Sequence, residues 1–147
     1  MREILFRGKS IHGEWIYGYL NQHRGNIRYD CDCEPIADGC YYINDWQAKI
    51  DTGMYGQDYK VDPETIGQFT GLTDRDGVKI FEGDIVRYGD TIHSVVFEQR
   101  NGTAYFGLIY SPFETLPFGH YQDLKQIEVL GNIHDNPELL EVSKNEM

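Results

Sequence analysis

Residues 61–86, VDPETIGQFTGLTDRDGVKIFEGDIV, set four glycines (Gly67, Gly71, Gly77 and Gly83) among short apolar runs. No other feature of the chain constrains its fold as tightly. An interior glycine costs a helix about 1 kcal/mol relative to alanine, so no long helix runs through this segment. Asp62-Pro63-Glu64-Thr65 reads as a helix start, with an N-capping carboxylate, proline at the first helical position and an acid beside the positive helix end. Gly67 and Gly71 then stop it within about one turn. IGQFTGL reads as extended. Asp74-Arg75-Asp76-Gly77 lies between GQFTGL and VKIFEGDIV, and predicts a hairpin turn whose positive φ angles suit Asp and Gly.

The same grammar extends along the chain. Ile4-Leu5-Phe6 reads as a first strand, followed by a polar loop from Gly8 to Gly13. In GEWIYGYL, Trp15, Tyr17 and Tyr19 alternate with Ile16, Gly18 and Leu20. Both sets are apolar, which predicts a strand covered on both faces, with Gly18 at a bulge or close crossing. Residues 21–60 show no clear period and read as a loop-rich insertion and a place for specific contacts, with Ile27–Tyr29 and Tyr41–Ile43 as strand candidates and turns at Asp38-Gly39 and Thr52-Gly53. Beyond Ile80 come the strands DIVRY, HSVVFEQ, TAYFGLIY and IEVLGNI, with the hairpin signal Asn101-Gly102 between the second and third. Asn136-Pro137 opens a short C-terminal helix.

Glycine makes up 16 of 147 residues, and 11 Tyr, 7 Phe and 2 Trp supply large apolar areas, a composition of strands and tight turns. A chain of this length buries roughly 68–70% of its unfolded surface and needs no metal or disulfide to fold. Net charge is −11, and neither residues 1–70 nor residues 71–147 are basic, so a phosphate-neutralising surface is not apparent. The N-terminus lacks a signal-peptide core, and no run approaches the ~20 apolar residues of a membrane span. Cys31, Cys33 and Cys40 are odd in number and crowded, which fits reduced cytosolic thiols.

Chemical readings of the same residues compete with these structural ones. Placing Gly77 at position 6 of a calcium loop puts Leu72 at position 1 and Gly83 at position 12, so both end ligands fail. A zinc ion would have to use Cys31, Cys33 and Cys40 with His23 or Asp32. The C-x-C spacing is tighter than structural zinc uses, and the neighbouring Asp30, Asp32 and Glu34 oppose thiolate formation. The five histidines, His12, His23, His93, His120 and His134, form no catalytic motif. Glu82 and Asp84 are candidate paired carboxylates that read better as the lining of a turn. Trp15, Tyr17 and Tyr19 are candidate base-stacking residues with only Arg24 and Arg28 nearby for phosphate, so core packing is the favoured reading. The sequence assigns no catalytic residue, no cofactor and no metal site.

REILFRGK, GEWIYGYL, VDPETIGQFTGLTDRDGVKIFEGDIV and VLGNIHDNPELL together resemble the YopX protein family of bacteriophages and prophages. The resemblance implies a mainly β fold with a barrel-like C-terminal part, and GDIV leading into paired strands is similar to small SH3-like barrels. It implies no enzymatic activity, and brings no catalytic motif to carry over. Under it Gly67, Gly71, Gly77 and Gly83 are backbone requirements.

The expectation is a mainly β protein, α+β at its margins. Residues 1–70 form an N-terminal β lobe carrying the 21–60 insertion, and residues 71–147 a barrel-like lobe plus the C-terminal helix. Its expected role is that of a non-enzymatic phage or prophage accessory protein in the bacterial cytoplasm. It acts through contacts with a phage or host protein and forms a homo-oligomer. Two alternatives are a nucleic-acid-binding small barrel, and an acidic mimic of DNA that uses Asp30, Asp32, Glu34, Asp38, Asp45, Asp51, Asp58 and Asp62.

Overall fold

In the computed structural model of the chain, residues 3–22, 40–49, 55–100, 102–111, 114–117 and 124–145 are described. Mainly β structure is what they show. β1 (Phe6–Lys9), β2 (Trp15–Gln22), β3 (Tyr41–Lys49), β4 (Tyr55–Lys60), β5 (Gly67–Thr73) and β6 (Lys79–Phe81) form one antiparallel sheet, ordered β4-β3-β2-β1-β5-β6. β7 (Asp84–Tyr88), β8 (Thr91–Arg100), β9 (Thr103–Ser111), β10 (Glu114–Pro117) and β11 (Ile127–Asn132) form a second, ordered β10-β9-β8-β7-β11. The helix α1 (Glu138–Asn145) follows Asn136-Pro137. The chain divides into two compact units between Gln68 and Phe69.

In the first unit, Ile16, Ile43 and Val61 form a buried cluster, with Phe6, Leu20, Tyr41, Tyr59 and Ile66 packed on it. Each such side chain contributes roughly 1.5–3 kcal/mol when fully buried. Asp62-Pro63-Glu64-Thr65 makes the expected single turn, a 3-10 turn over Pro63–Thr65. It is tied to β1, because Lys9 N–H donates to Thr65 Oγ1 at 2.8 Å and Asp62 N–H donates to the Lys9 carbonyl at 2.9 Å.

Three expectations are corrected here. The first strand runs from Phe6 through Gly8 to Lys9, where a polar loop was expected, because Gly8 pairs with Ile16 and packs closely on Ile43 and Val61. The segment 21–60, read as a loop-rich insertion, supplies two strands, β3, which begins at the Tyr41–Ile43 strand candidate, and β4, and it buries Tyr42 and Ile43. Ile27–Tyr29 and the turns at 38–39 and 52–53 lie outside the described residues. β2 is covered on one face only: Ile16 and Gly18 are buried, while Tyr17 and Tyr19 are exposed. Gly18 is the close crossing anticipated, since a Cβ there would stand 1.9 Å from the Asn44 carbonyl oxygen.

In the second unit, Ile80, Val86, Val95, Leu108 and Ile127 form the buried cluster, flanked by Tyr88, Tyr110, Leu124 and Val129. The strands read as DIVRY, HSVVFEQ and TAYFGLIY appear as β7, β8 and β9, paired in sequence. The turn at Asp74–Gly77 joins β5 to β6, with Gly77 at φ 80°. The five strands form an open sheet, not the closed barrel the SH3-like resemblance implied. Among the described residues β10 and β11 are its two edges and do not pair. β10 is four residues long, carries a register shift at Glu114/Thr115 and ends in Pro117, which has no N–H to donate.

Candidate binding surface and the carboxylate corners

Asp62, Asp74 and Asp84 are bound to the main chain. Asp62 Oδ1 accepts from Glu64 N–H at 3.0 Å and caps the 3-10 turn. Asp74 Oδ1 accepts from Asp76 N–H at 2.8 Å and Val78 N–H at 2.9 Å, while its Oδ2 accepts from Val129 N–H at 3.0 Å. Asp84 Oδ2 accepts from Phe81 N–H at 2.7 Å across the Glu82-Gly83 corner. Asp84 is therefore committed to the backbone beside Glu82. Burial works to raise the Asp74 pKa, but the N–H groups of Val129, Val78 and Asp76 and the Arg75 charge outweigh it, so the carboxyl stays below its ordinary 3.8. In the structure these three carboxylates shape turns.

Of the metal candidates, Cys31, Cys33, His23 and Asp32 lie outside the described residues, and Cys40 is a half-buried free thiol. Among the described residues, no three His, Cys, Asp or Glu side chains gather as a metal-binding group. Among the described residues, His93 is the buried histidine. Its Nδ1–H donates to the Ile109 carbonyl at 2.9 Å, its Nε2 lies 2.7 Å from Thr91 Oγ1, and its ring packs 4.1 Å from that of Tyr110. Desolvation lowers its pKa below 6.5 against the raising effect of the Ile109 bond. Its Ile109 partner stands sixteen residues away in sequence, on the paired strand, and no local spacing signals that contact.

The surface that stands out is the outward face of β2. A strand turns alternate side chains to opposite faces, so burying Ile16 and Leu20 sends Trp15, Tyr17 and Tyr19 the other way. Tyr17 is 45% and Tyr19 52% exposed, which corrects the reading of these two as core, while Trp15 is half-buried. Cross-strand pairing sets Lys9 opposite Trp15, Arg7 opposite Tyr17 and Asn44 opposite Tyr19. The buried Arg7 guanidinium lies 4.8 Å from the Trp15 ring centroid and the Lys9 ammonium 5.8 Å from it, within cation–π range. Reading along the chain found only Arg24 and Arg28 near these aromatics. The alternation in FRGK, once paired with WIYG, brings Arg7 and Lys9 instead. Of the acids named for a DNA mimic, Asp45 and Asp58 are half-buried in the sheet, Asp58 accepts from Asn44 Nδ2 at 2.9 Å, and Asp62 is the cap. Asp30, Asp32, Glu34, Asp38 and Asp51 lie outside the described residues.

The family model described as YopX protein matches residues 6–141 of the chain. No curated protein sequence matches it. Among solved structures, the chain is similar to the crystal structure of protein EF1440 from Enterococcus faecalis, at 21% identity and a TM-score of 0.46, over 95% of this chain and 99% of that one.

Proposed function

We propose that this chain, which belongs to the YopX protein family, is a phage or prophage accessory protein that works by binding protein, through the outward aromatic strip of β2. The observation that carries the reading is the exposure of Tyr17 and Tyr19 side by side on one face of an ordered strand. Tyr and Trp are enriched where proteins bind, because each offers a large contact area at little cost in rotamer entropy. The polar Asn44 beside Tyr19 adds the hydrogen-bonding rim such surfaces carry. The partners in this reading are a second copy of the chain and a phage or host protein of the bacterial cytoplasm. No described helix is long and apolar enough to cross a membrane.

The test is sedimentation velocity on the wild type and on a Tyr17→Ser/Tyr19→Ser variant, with circular dichroism to show that both are folded. The wild type is expected to associate and the folded double variant to remain monomeric. Association that survives in the folded variant would remove the β2 strip as the contact. A wild type that stays monomeric at high concentration, and captures no phage or host protein on this strip, would remove the proposal.

The placement of Arg7 and Lys9 beside Trp15 favours a second reading, in which the same strip stacks the bases of a single-stranded nucleic acid. The net charge of −11 opposes it. Filter binding at low salt decides: retention of labelled single strands that falls steeply as salt is added supports this reading against the first.

A further inference from the structure

β11 is an edge strand of six residues, long enough to accept another strand. Its inner side pairs with β7, Glu128 standing opposite Arg87. Residues 127 and 129 turn their main-chain groups outward. The Ile127 carbonyl accepts from Arg75 N–H at 3.0 Å, and Val129 N–H donates to Asp74 Oδ2 at 3.0 Å. One donor and one acceptor two residues apart are what a neighbouring antiparallel strand would present to this edge. The Asp74–Gly77 turn supplies both without being a strand, its carboxylate taking the part of a strand carbonyl. Arg75 also donates to Glu128 Oε2 at 2.9 Å, an acceptor it shares with Arg87, so the side chains close over the same edge. Both edges carry a register shift, at Val129/Gly131 in β11 and Glu114/Thr115 in β10, but β10 is blunted further by shortness and Pro117.

We infer that the Asp74–Gly77 corner is a guard on β11, occupying the edge that a strand from a second copy of this chain would otherwise take. The guard acts on a surface distinct from the β2 strip, so it stands or falls separately from the proposed function. It also explains why a buried carboxylate belongs at position 74: Asp74 holds its own turn with one oxygen and the distant strand with the other.

Arg75→Pro tests this directly. The turn is closed by Gly77 N–H donating to the Asp74 carbonyl at 3.1 Å, which places Arg75 at the position where proline is favoured. Proline there removes the N–H that reaches Ile127 and leaves the turn bond in place. Arg75→Ala is the control, losing the guanidinium but keeping the N–H. Folded R75P is expected to sediment as larger species than the wild type, with added amide protection confined to β11, while R75A sediments as the wild type does. Folded R75P sedimenting as the wild type, or R75A forming the same large species, would overturn the inference. If R75P does not fold, hydrogen exchange on the wild type decides: Val129 N–H is expected to exchange at least about tenfold more slowly than an unprotected amide. Exchange at the unprotected rate would overturn the guard.

Discussion

At the scale of single residues, this chain uses its carboxylates to fix corners and its buried histidine to join strands. The carboxylate roles were legible because each acid serves N–H groups within four residues of itself, at Asp62, Asp74 and Asp84. The reach of Asp74 to Val129, fifty-five residues on, was not, since nothing local encodes it. His93 was equally hidden, and it carries a pH dependence. With Nδ1–H committed to the Ile109 carbonyl, the single Thr91 hydroxyl hydrogen serves either Nε2 or the Tyr88 carbonyl, 2.9 Å away. The neutral ring is favoured because burial depresses the pKa below 6.5. A folded pKa below the unfolded one gives stability that is present above about pH 6.5 and lost as pH falls through the folded value. Over that window wild-type stability should fall with pH by up to about 1.4 kcal/mol per unit more than that of His93→Gln. Urea unfolding at stepped pH measures the difference, and an NMR titration placing His93 at or above 6.5 would contradict it.

At the scale of elements, what could be read was what glycine and short polar pairs mark. The Asp74–Gly77 turn, the single turn after Asp62, β7 to β9 and the start of α1 all follow from local signals. β4 and the part of β3 beyond the Tyr41–Ile43 strand candidate escaped because YYINDWQAK and YGQDYK mix polar and aromatic residues without alternation. The one-sided burial of β2 escaped for the opposite reason, both of its faces being apolar. Gly18 is where β2 and β3 meet most closely, and it yields a sharp contrast. A Cβ at Gly18 would strike the Asn44 backbone, which cannot rotate away, so Gly18→Ala must push the two strands apart. Gly77 has φ 80° and open space around it, so Gly77→Ala brings only left-handed strain of about 1–2 kcal/mol. Overpacking against rigid neighbours typically costs about 1–3 kcal/mol, occasionally more, and the Asn44 contact puts Gly18→Ala at the upper end of that range. Chemical denaturation should therefore rank G18A well below G77A; equal midpoints would show that β3 yields where the structure holds it rigid.

At the scale of the whole molecule, the two binding readings of the β2 strip make opposite demands on salt. Copies of a chain carrying a net charge of −11 repel one another, and the repulsion reaches about 30 Å at 0.01 M ionic strength but only about 8 Å at 0.15 M. Association driven by exposed Tyr17 and Tyr19 loses little to salt, because burying aromatic surface does not depend on charge. Its net dependence follows the repulsion, and self-association should strengthen as salt rises over that range. Stacking of a single strand on the same aromatics works the other way. It relies on cations such as Lys9 to neutralise phosphates, and added salt weakens it as the released counterions lose their entropic advantage. Sedimentation of the chain alone and filter binding of a labelled oligonucleotide, each run from 0.01 to 0.15 M salt, separate the two by the sign of a slope. Self-association that tightens with salt, and disappears in Tyr17→Ser/Tyr19→Ser, identifies the strip as a protein contact. Self-association that weakens with salt would mean that complementary charge holds the copies together, and would move the interface away from the aromatic strip.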